Sequence, residues 1–160
     1  MKSASKNIPP VTVCMLSNGN QEETARAVRS ARRFGLPVHI GLSDGNLDLD
    51  TFADVHIHHI PWENDFAKAR NLLLDRVEGQ FVLRLDSDEV LFTFPEMNFG
   101  SLNEDVFGIY LQESQLWTPR LQFRLHRNTP DVQWASRVHE RLTVHGKTVL
   151  NNWEIGRAHV

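Results

Sequence analysis

The sequence predicts an α/β fold with a mainly parallel central sheet and a mixed or antiparallel C-terminal extension. Three observations carry that expectation. Short apolar runs at residues 11–16, 38–42, 55–60 and 81–85 are interleaved with two stretches of helical composition, the order of a parallel sheet wound with helices. After Phe99 and Gly100 the helical stretches stop and only strand patterns continue. Clusters of turn formers with side-chain oxygens stand directly after the first, second and fourth runs, where ligands of open α/β sheets bind.

The first run contains Thr12 and gives way to Ser17, Asn18, Gly19 and Asn20, which reads as a buried strand ending in a turn. Residues 21–34 follow as a helix. Glu22 and Glu23 lie in its first turn, Arg29, Arg32 and Arg33 near its end and Gly35 just beyond, an arrangement that complements the helix dipole and permits a left-handed stop. Ala27, Val28, Ala31 and Phe34 give it an apolar side for packing on a sheet. Pro37 introduces the second strand, 38–42, and the loop 43–48 reads SDGNLD. In the third strand His56 and His58 share one face and His59 takes the other; with no carboxylate or cysteine at ligand spacing, they read as partly exposed strand histidines rather than a metal site.

Pro61 and Trp62 break that strand, and Asn64 or Asp65 caps a helix over 66–78 that Gly79 ends. Phe66, Ala69, Leu73 and Val77 form its buried stripe. Arg70 and Asn71 fall in its second turn, near the positive end where an anionic ligand is favoured. The fourth strand then runs into FVLRLDSDEVL, in which Asp86 and Asp88 alternate across Ser87 and project to one side of an extended segment. Two such charges about 4 Å apart repel by roughly 4 kcal/mol at an effective dielectric of about 20, so the cluster calls for water or a hard divalent ion, Mg²⁺ or Mn²⁺. Beyond it, 106–111 is strand-like. In 120–125 Leu121, Phe123 and Leu125 alternate with Arg120, Gln122 and Arg124, and 132–135 reads as a further strand after the turn 128–131. Arg137, Val138, His139 and Glu140 come next, the last two adjacent ionisable side chains between apolar neighbours.

Composition narrows the function classes. At 160 residues with 41% hydrophobic content the chain reads as one globular unit, and a net charge of -3 provides no basic footprint for nucleic acid. The one cysteine, Cys14, lies inside the first apolar run, can form no intrachain disulfide and suits a reducing compartment as a small buried hydrophobe. No run is long and apolar enough for a signal peptide or a membrane span, so the expectation is a cytoplasmic protein, compatible with peripheral attachment to a membrane. The last seven residues, EIGRAHV, match a common sequencing-adapter string in translation. Residues 154–160 are therefore expected not to derive from the gene, and 8–153 to be a domain truncated at its C-terminus.

Asp65 to Leu91 (DFAKARNLLLDRVEGQFVLRLDSDEVL), together with RLHRN at 124–128 and RVHE at 137–140, resembles the bacterial family 2 glycosyltransferases. The likeness is closest to the branch of lipopolysaccharide and capsule glucosyltransferases and of enzymes that glycosylate bacteriocin peptides. It implies a GT-A fold, which is Rossmann-like, a nucleoside-diphosphate sugar donor such as a UDP-sugar, a glycan or peptide acceptor, and inverting transfer with Mg²⁺ or Mn²⁺. By that likeness Asp86 lies near the ribose and metal, Asp88 binds the metal and Arg70 faces the nucleotide, while Asn18 and Asp44 stand in the loops expected to hold the nucleoside. The chain departs from the family pattern at three places: Asn18, Gly19, Asn20, Gln21 and Glu22 stand where Asn-Glu is usual, Ser43 stands where an aspartate usually helps hold the base, with Asp44 next, and His126 replaces a typical phenylalanine.

The chemistry requires a base to take the acceptor hydroxyl's proton, with Glu140 the first candidate and His139 the second, either as base or as a metal ligand. A sugar-nucleotide nucleotidyltransferase shares this architecture. A non-catalytic nucleotide-sugar-binding module is the reading from another class, and binding of a nucleoside diphosphate without turnover of its sugar conjugate would favour it.

Overall fold

Strand β1 (Val11–Ser17) lies at the centre of the sheet with β2 (Val38–Leu42) on one side and β4 (Phe81–Arg84) on the other, so the strand order reverses there. The computed structural model describes residues 9–49, 52, 54–111 and 119–149; the expected adapter-derived tail lies outside them. The remaining elements are α1 (Gln21–Arg32), β3 (Val55–His59), α2 (Phe66–Leu74), a 3₁₀ turn (Phe99–Ser101), β5 (Val106–Leu111), β6 (Arg120–Arg127), β7 (Val132–Ala135), β8 (Arg141–Val144) and β9 (Lys147–Thr148). The main sheet runs β3-β2-β1-β4-β6-β5, parallel from β3 to β4, with β6 antiparallel to both its neighbours. Strands β7, β8 and β9 make a second, antiparallel sheet. The chain is thus α/β with a mixed sheet, as expected, compatible with a Rossmann-like arrangement.

Period-two alternation divides the core. Val11, Val13, Met15, Phe81 and Leu83 pack on the α1 side with Ala27, Val28 and Ala31, whereas Cys14, Leu16 and Val82 meet Leu73 and Val77 of the α2 segment on the other. The pattern VTVCMLS is apolar at nearly every position because both faces of β1 are covered. Burial pushes the Cys14 thiol up to about 12, which leaves it an inert hydrophobe. Helix α2 is covered on its far side as well: Ala67 packs with Val132, Trp134 and Leu142 of the second sheet. Asn71 fastens the two layers, its side-chain amide donating to the Trp134 carbonyl and accepting from the Trp134 N–H, each at 2.9 Å.

Both helices stop before the residues expected. In α1, the N–H groups of Phe34 and Gly35 donate to the carbonyls of Ala31 and Arg32, a tightened last turn that Gly35 leaves at φ +73°. The second helix ends at Leu74 rather than Glu78, because the exit segment is tied to other partners. The Glu78 carbonyl accepts from Thr12 Oγ1, and Asn128 Nδ2 donates to the Val77 and Gly79 carbonyls. The hairpin β8–β9 was not foreseen; its two-residue turn, His145-Gly146, has φ of 50° and 75°, the pair of positive angles that matches strand twist.

Parallel strands deliver the loops after β1, β2 and β4 to the same edge. The first two touch: a Cβ on Gly19 would lie 2.7 Å from the Asp44 carbonyl oxygen, and Gly19 sits at φ +92°. Gly19→Ala should therefore cost about 1–3 kcal/mol in a denaturant titration through strain and a backbone clash. It should also open the edge at which Asn18 and Asp44 meet.

Candidate functional site

Strand alternation sends Val82 and Arg84 to the α2 side of the sheet, where Arg84 meets Arg70 of α2 and Arg124 of β6 around the carboxylate of Asp86. Arg84 Nε and Nη2 donate to Asp86 Oδ1 and Oδ2 at 3.1 and 3.2 Å. Arg70 Nη2 donates to Oδ1 at 3.1 Å, and Arg124 Nη2 stands 3.6 Å from Oδ2. Both oxygens of Asp86 are thus taken by guanidinium groups. Burial pushes its carboxyl up, but the charges of Arg84, Arg70 and Arg124 outweigh that and hold it below the usual carboxylate range.

Glu140 closes the cluster from the segment before β8. Its Oε1 accepts from Arg70 Nε at 2.7 Å and lies 3.3 Å from Arg84 Nη2. Here too burial raises the carboxyl, and Arg70 above all brings it down below its ordinary value. Trp134 supports the arginines from beneath, with the Arg84 and Arg70 guanidinium carbons 5.0 and 5.6 Å from its ring centre. Glu89 shapes the acidic loop, accepting from the Asp86 N–H at 2.9 Å and from Arg124 Nη1.

Asn18, Asp44, Arg70, Asp86, Asp88, His139 and Glu140 all line one cavity of about 1030 Å³ at this edge of the sheet. That size lies at the top of the range usual for a single small ligand. Within it Asp88 and His139 differ from the rest. Both are exposed, and among the described residues neither side chain has a hydrogen-bond or ion-pair partner. His139 holds a left-handed backbone at φ +55°.

Asp86 and Asp88 were both expected as metal ligands, and the geometry separates them. The three arginines around Asp86 engage both of its oxygens, and their charges oppose the approach of a cation to it. Asp88 has a free carboxylate facing the cavity. Among the described residues no group of three His, Cys, Asp or Glu side chains could hold an ion by itself. Mg²⁺ is ordinarily held by one or two carboxylates and the phosphates of its ligand, so Asp88 fits an ion that arrives with a diphosphate.

The histidines of β3 are elsewhere. His58 Nε2 and His39 Nδ1 of β2 are 2.8 Å apart with their ring planes within 6° of parallel, and His56 stacks on His39 at 4.6 Å. One imidazole donates to the other, which ties these two side chains to each other rather than to the cavity. Burial, reinforced by His56 and His58, lowers His39 to about 4.

Sequence reasoning did not single out Arg84, Arg124, Glu89 or Trp134 as site residues. Arg84 carried a readable signal, a charge inside an otherwise buried apolar strand, which needs a partner. Arg124 was harder to foresee. Its strand shifts register between Phe107, opposite Leu125, and Gly108, opposite Phe123, so the alternation read along 120–125 does not hold at Arg124, which is buried.

No protein-family model matches the chain. Over 142 residues, 81% of the chain, it is 29% identical to a TPR repeat-containing protein of Synechococcus elongatus, and it spans about a third (34%) of that protein's length. Among solved structures, the crystal structure of S. aureus TarS aligns with 49% of this chain and 16% of that one, at 17% identity and a TM-score of 0.40, a likeness too slight to carry the fold. No helix among the described residues is long and apolar enough to cross a membrane.

Proposed function

We propose that this chain is the nucleotide-sugar-binding part of a GT-A glycosyltransferase resembling family 2, one that transfers a sugar with inversion from a nucleoside diphosphate to a glycan or peptide acceptor. The observation that carries the reading is the carboxylate of Asp88, unpaired among the described residues and held beside a guanidinium cluster in the crevice where the strand order reverses. Asn18 and Asp44, brought together by the Gly19 contact, are placed to hold the nucleoside. Four arginines and five carboxylates line the cavity, so by itself it has no surplus of positive charge for a diphosphate. A divalent cation on Asp88 would supply that charge and, when bound, would stabilise the negative charge that grows on the leaving diphosphate. Arg70, fixed by Asp86 and Glu140, faces the same space and adds a hydrogen-bonding cation that needs no reorganisation.

The base is best assigned to His139. Glu140 is held below its ordinary range by Arg70 and Arg84, so it is ionised but a weak proton acceptor, and its nearer role is to orient those arginines. His139 has no partner among the described residues and is open to the cavity. His139→Gln is expected to reduce transfer by about 10² to 10⁴ with nucleoside diphosphate binding intact. Glu140→Gln, in contrast, should weaken that binding by releasing Arg70. Calorimetry with UDP, GDP, ADP and dTDP in the presence of Mg²⁺ or Mn²⁺, followed by transfer assays from the matching donors, separates the two. Failure of the wild-type protein to bind any of these nucleotides would overturn the reading.

A further inference from the structure

Building on the glycosyltransferase reading, we propose that Trp62, Phe66 and Val138 form an acceptor subsite that takes the apolar C–H face of a pyranose ring. All three line the cavity, yet they are large apolar side chains left 41%, 38% and 60% exposed. Trp62 and Phe66 meet edge to face with ring centres 4.8 Å apart, which braces the pair while leaving aromatic surface open.

Two loops hold this ledge in place. The Phe66 N–H donates to the Arg137 carbonyl at 3.0 Å, and Arg137 Nε donates to the Asn64 carbonyl at 3.2 Å. The stitch sets the start of α2 against the segment carrying Val138 and His139. Asn64, Ser136 and His139 all have positive φ, at 56°, 78° and 55°. Non-glycine residues in that region cost stability, and such strain gathers at ligand sites. The segment therefore maintains a costly backbone that keeps Val138 and Trp62 facing the cavity.

The occupant follows from what surrounds the ledge. A nucleobase would be matched by the polar loops after β1 and β2, where Asn18 and Asp44 stand. The ledge instead adjoins His139, the side chain that must reach the acceptor hydroxyl. It is rimmed by polar groups from His139 and Arg141. A hexopyranose has this pattern, one face of C–H bonds and an equatorial rim of hydroxyl groups.

Saturation-transfer NMR with methyl glucoside, methyl galactoside, methyl N-acetylglucosaminide and their disaccharides tests the assignment, alongside calorimetry with UDP and GDP. In the wild-type protein at least one saccharide should receive saturation at ring C–H protons. Trp62→Ala should reduce it at least tenfold, Trp62→Phe should restore most of it, and nucleotide binding should be the same in all three. Absence of saccharide contact in the wild type, or contact indifferent to Trp62→Ala, overturns the subsite. Nucleotide binding lost in Trp62→Ala with the saccharide signal retained also overturns it, because the ledge then holds the base. Saccharide contact at Trp62 in a wild-type protein that binds no nucleotide would instead overturn the transferase reading.

Discussion

Asp88→Asn is expected to abolish the cation-dependent stabilisation of the protein by a nucleoside diphosphate while leaving the fold untouched, and Asp86→Asn to do the reverse. A ligand at about 100 times its dissociation constant raises stability by roughly 2.7 kcal/mol. If Asp88 supplies the protein's carboxylate to the bridging ion, that increment disappears in Asp88→Asn and chelator has no further effect. Because Asp88 is exposed and unpaired among the described residues, the unliganded variant should stay within about 0.5 kcal/mol of the parent. Asp86 is bound by Arg84, Arg70 and Arg124, and neutralising it leaves three largely buried guanidinium groups with only Glu140 and Glu89 to balance them. A loss of about 3 kcal/mol is expected without any ligand. Thermal denaturation with Mg²⁺, with Mg²⁺ and UDP or GDP, and with chelator reads all of this directly. A stabilising increment that survives in Asp88→Asn would move the cation to another residue.

His126→Phe is expected to flatten the acid limb of the stability profile. His126 is fully buried on β6, between β4 and β5 and with its ring against Trp134; its Nδ1–H donates to the Arg127 carbonyl at 3.0 Å, and its Nε2 has no partner among the described residues. Burial lowers its pKa from 6.5 to about 4, the Arg127 hydrogen bond offsetting this only in part. Below about pH 6.5 the unfolded chain takes up a proton that the folded chain refuses until about pH 4, so stability falls as pH drops through that window. The loss from this one group totals roughly 3 kcal/mol. Asp86 and Glu140, whose pKa values are lowered, add stability that is lost only at lower pH, as it falls below their unfolded values of 3.8 and 4.5. The histidine and carboxylate windows are therefore separable. Phenylalanine carries no proton and no orphaned nitrogen, so the variant should also gain about 1 kcal/mol at pH 7, set against the slightly larger ring. Chemical denaturation at pH 4.5, 5.5 and 7 checks both; parallel profiles for the two proteins would mean that His126 is protonated or hydrated in the fold.

The sequence by itself determined the features that local physics governs. Alternation and apolar runs placed seven strands, a cap at Asn64 or Asp65 marked the start of the second helix, where Asp65 is the cap, and the β-α-β order required that the loops after β1, β2 and β4 share an edge. That last inference brought Asn18, Asp44, Asp86 and Asp88 to one cavity, because the direction of a parallel strand is set by its crossover and not by distant side chains. Only the tertiary structure decided how the charges divide. Arg124 reaches Glu89 across 35 residues of chain and Glu140 reaches Arg70 across 70, pairings that no periodicity encodes. They exist because buried charges must find partners wherever the packed sheet and helix bring them within reach. The same pairing turns Asp86 inward to the arginines and leaves Asp88 facing the cavity, so two aspartates alike in the sequence take different work in the fold.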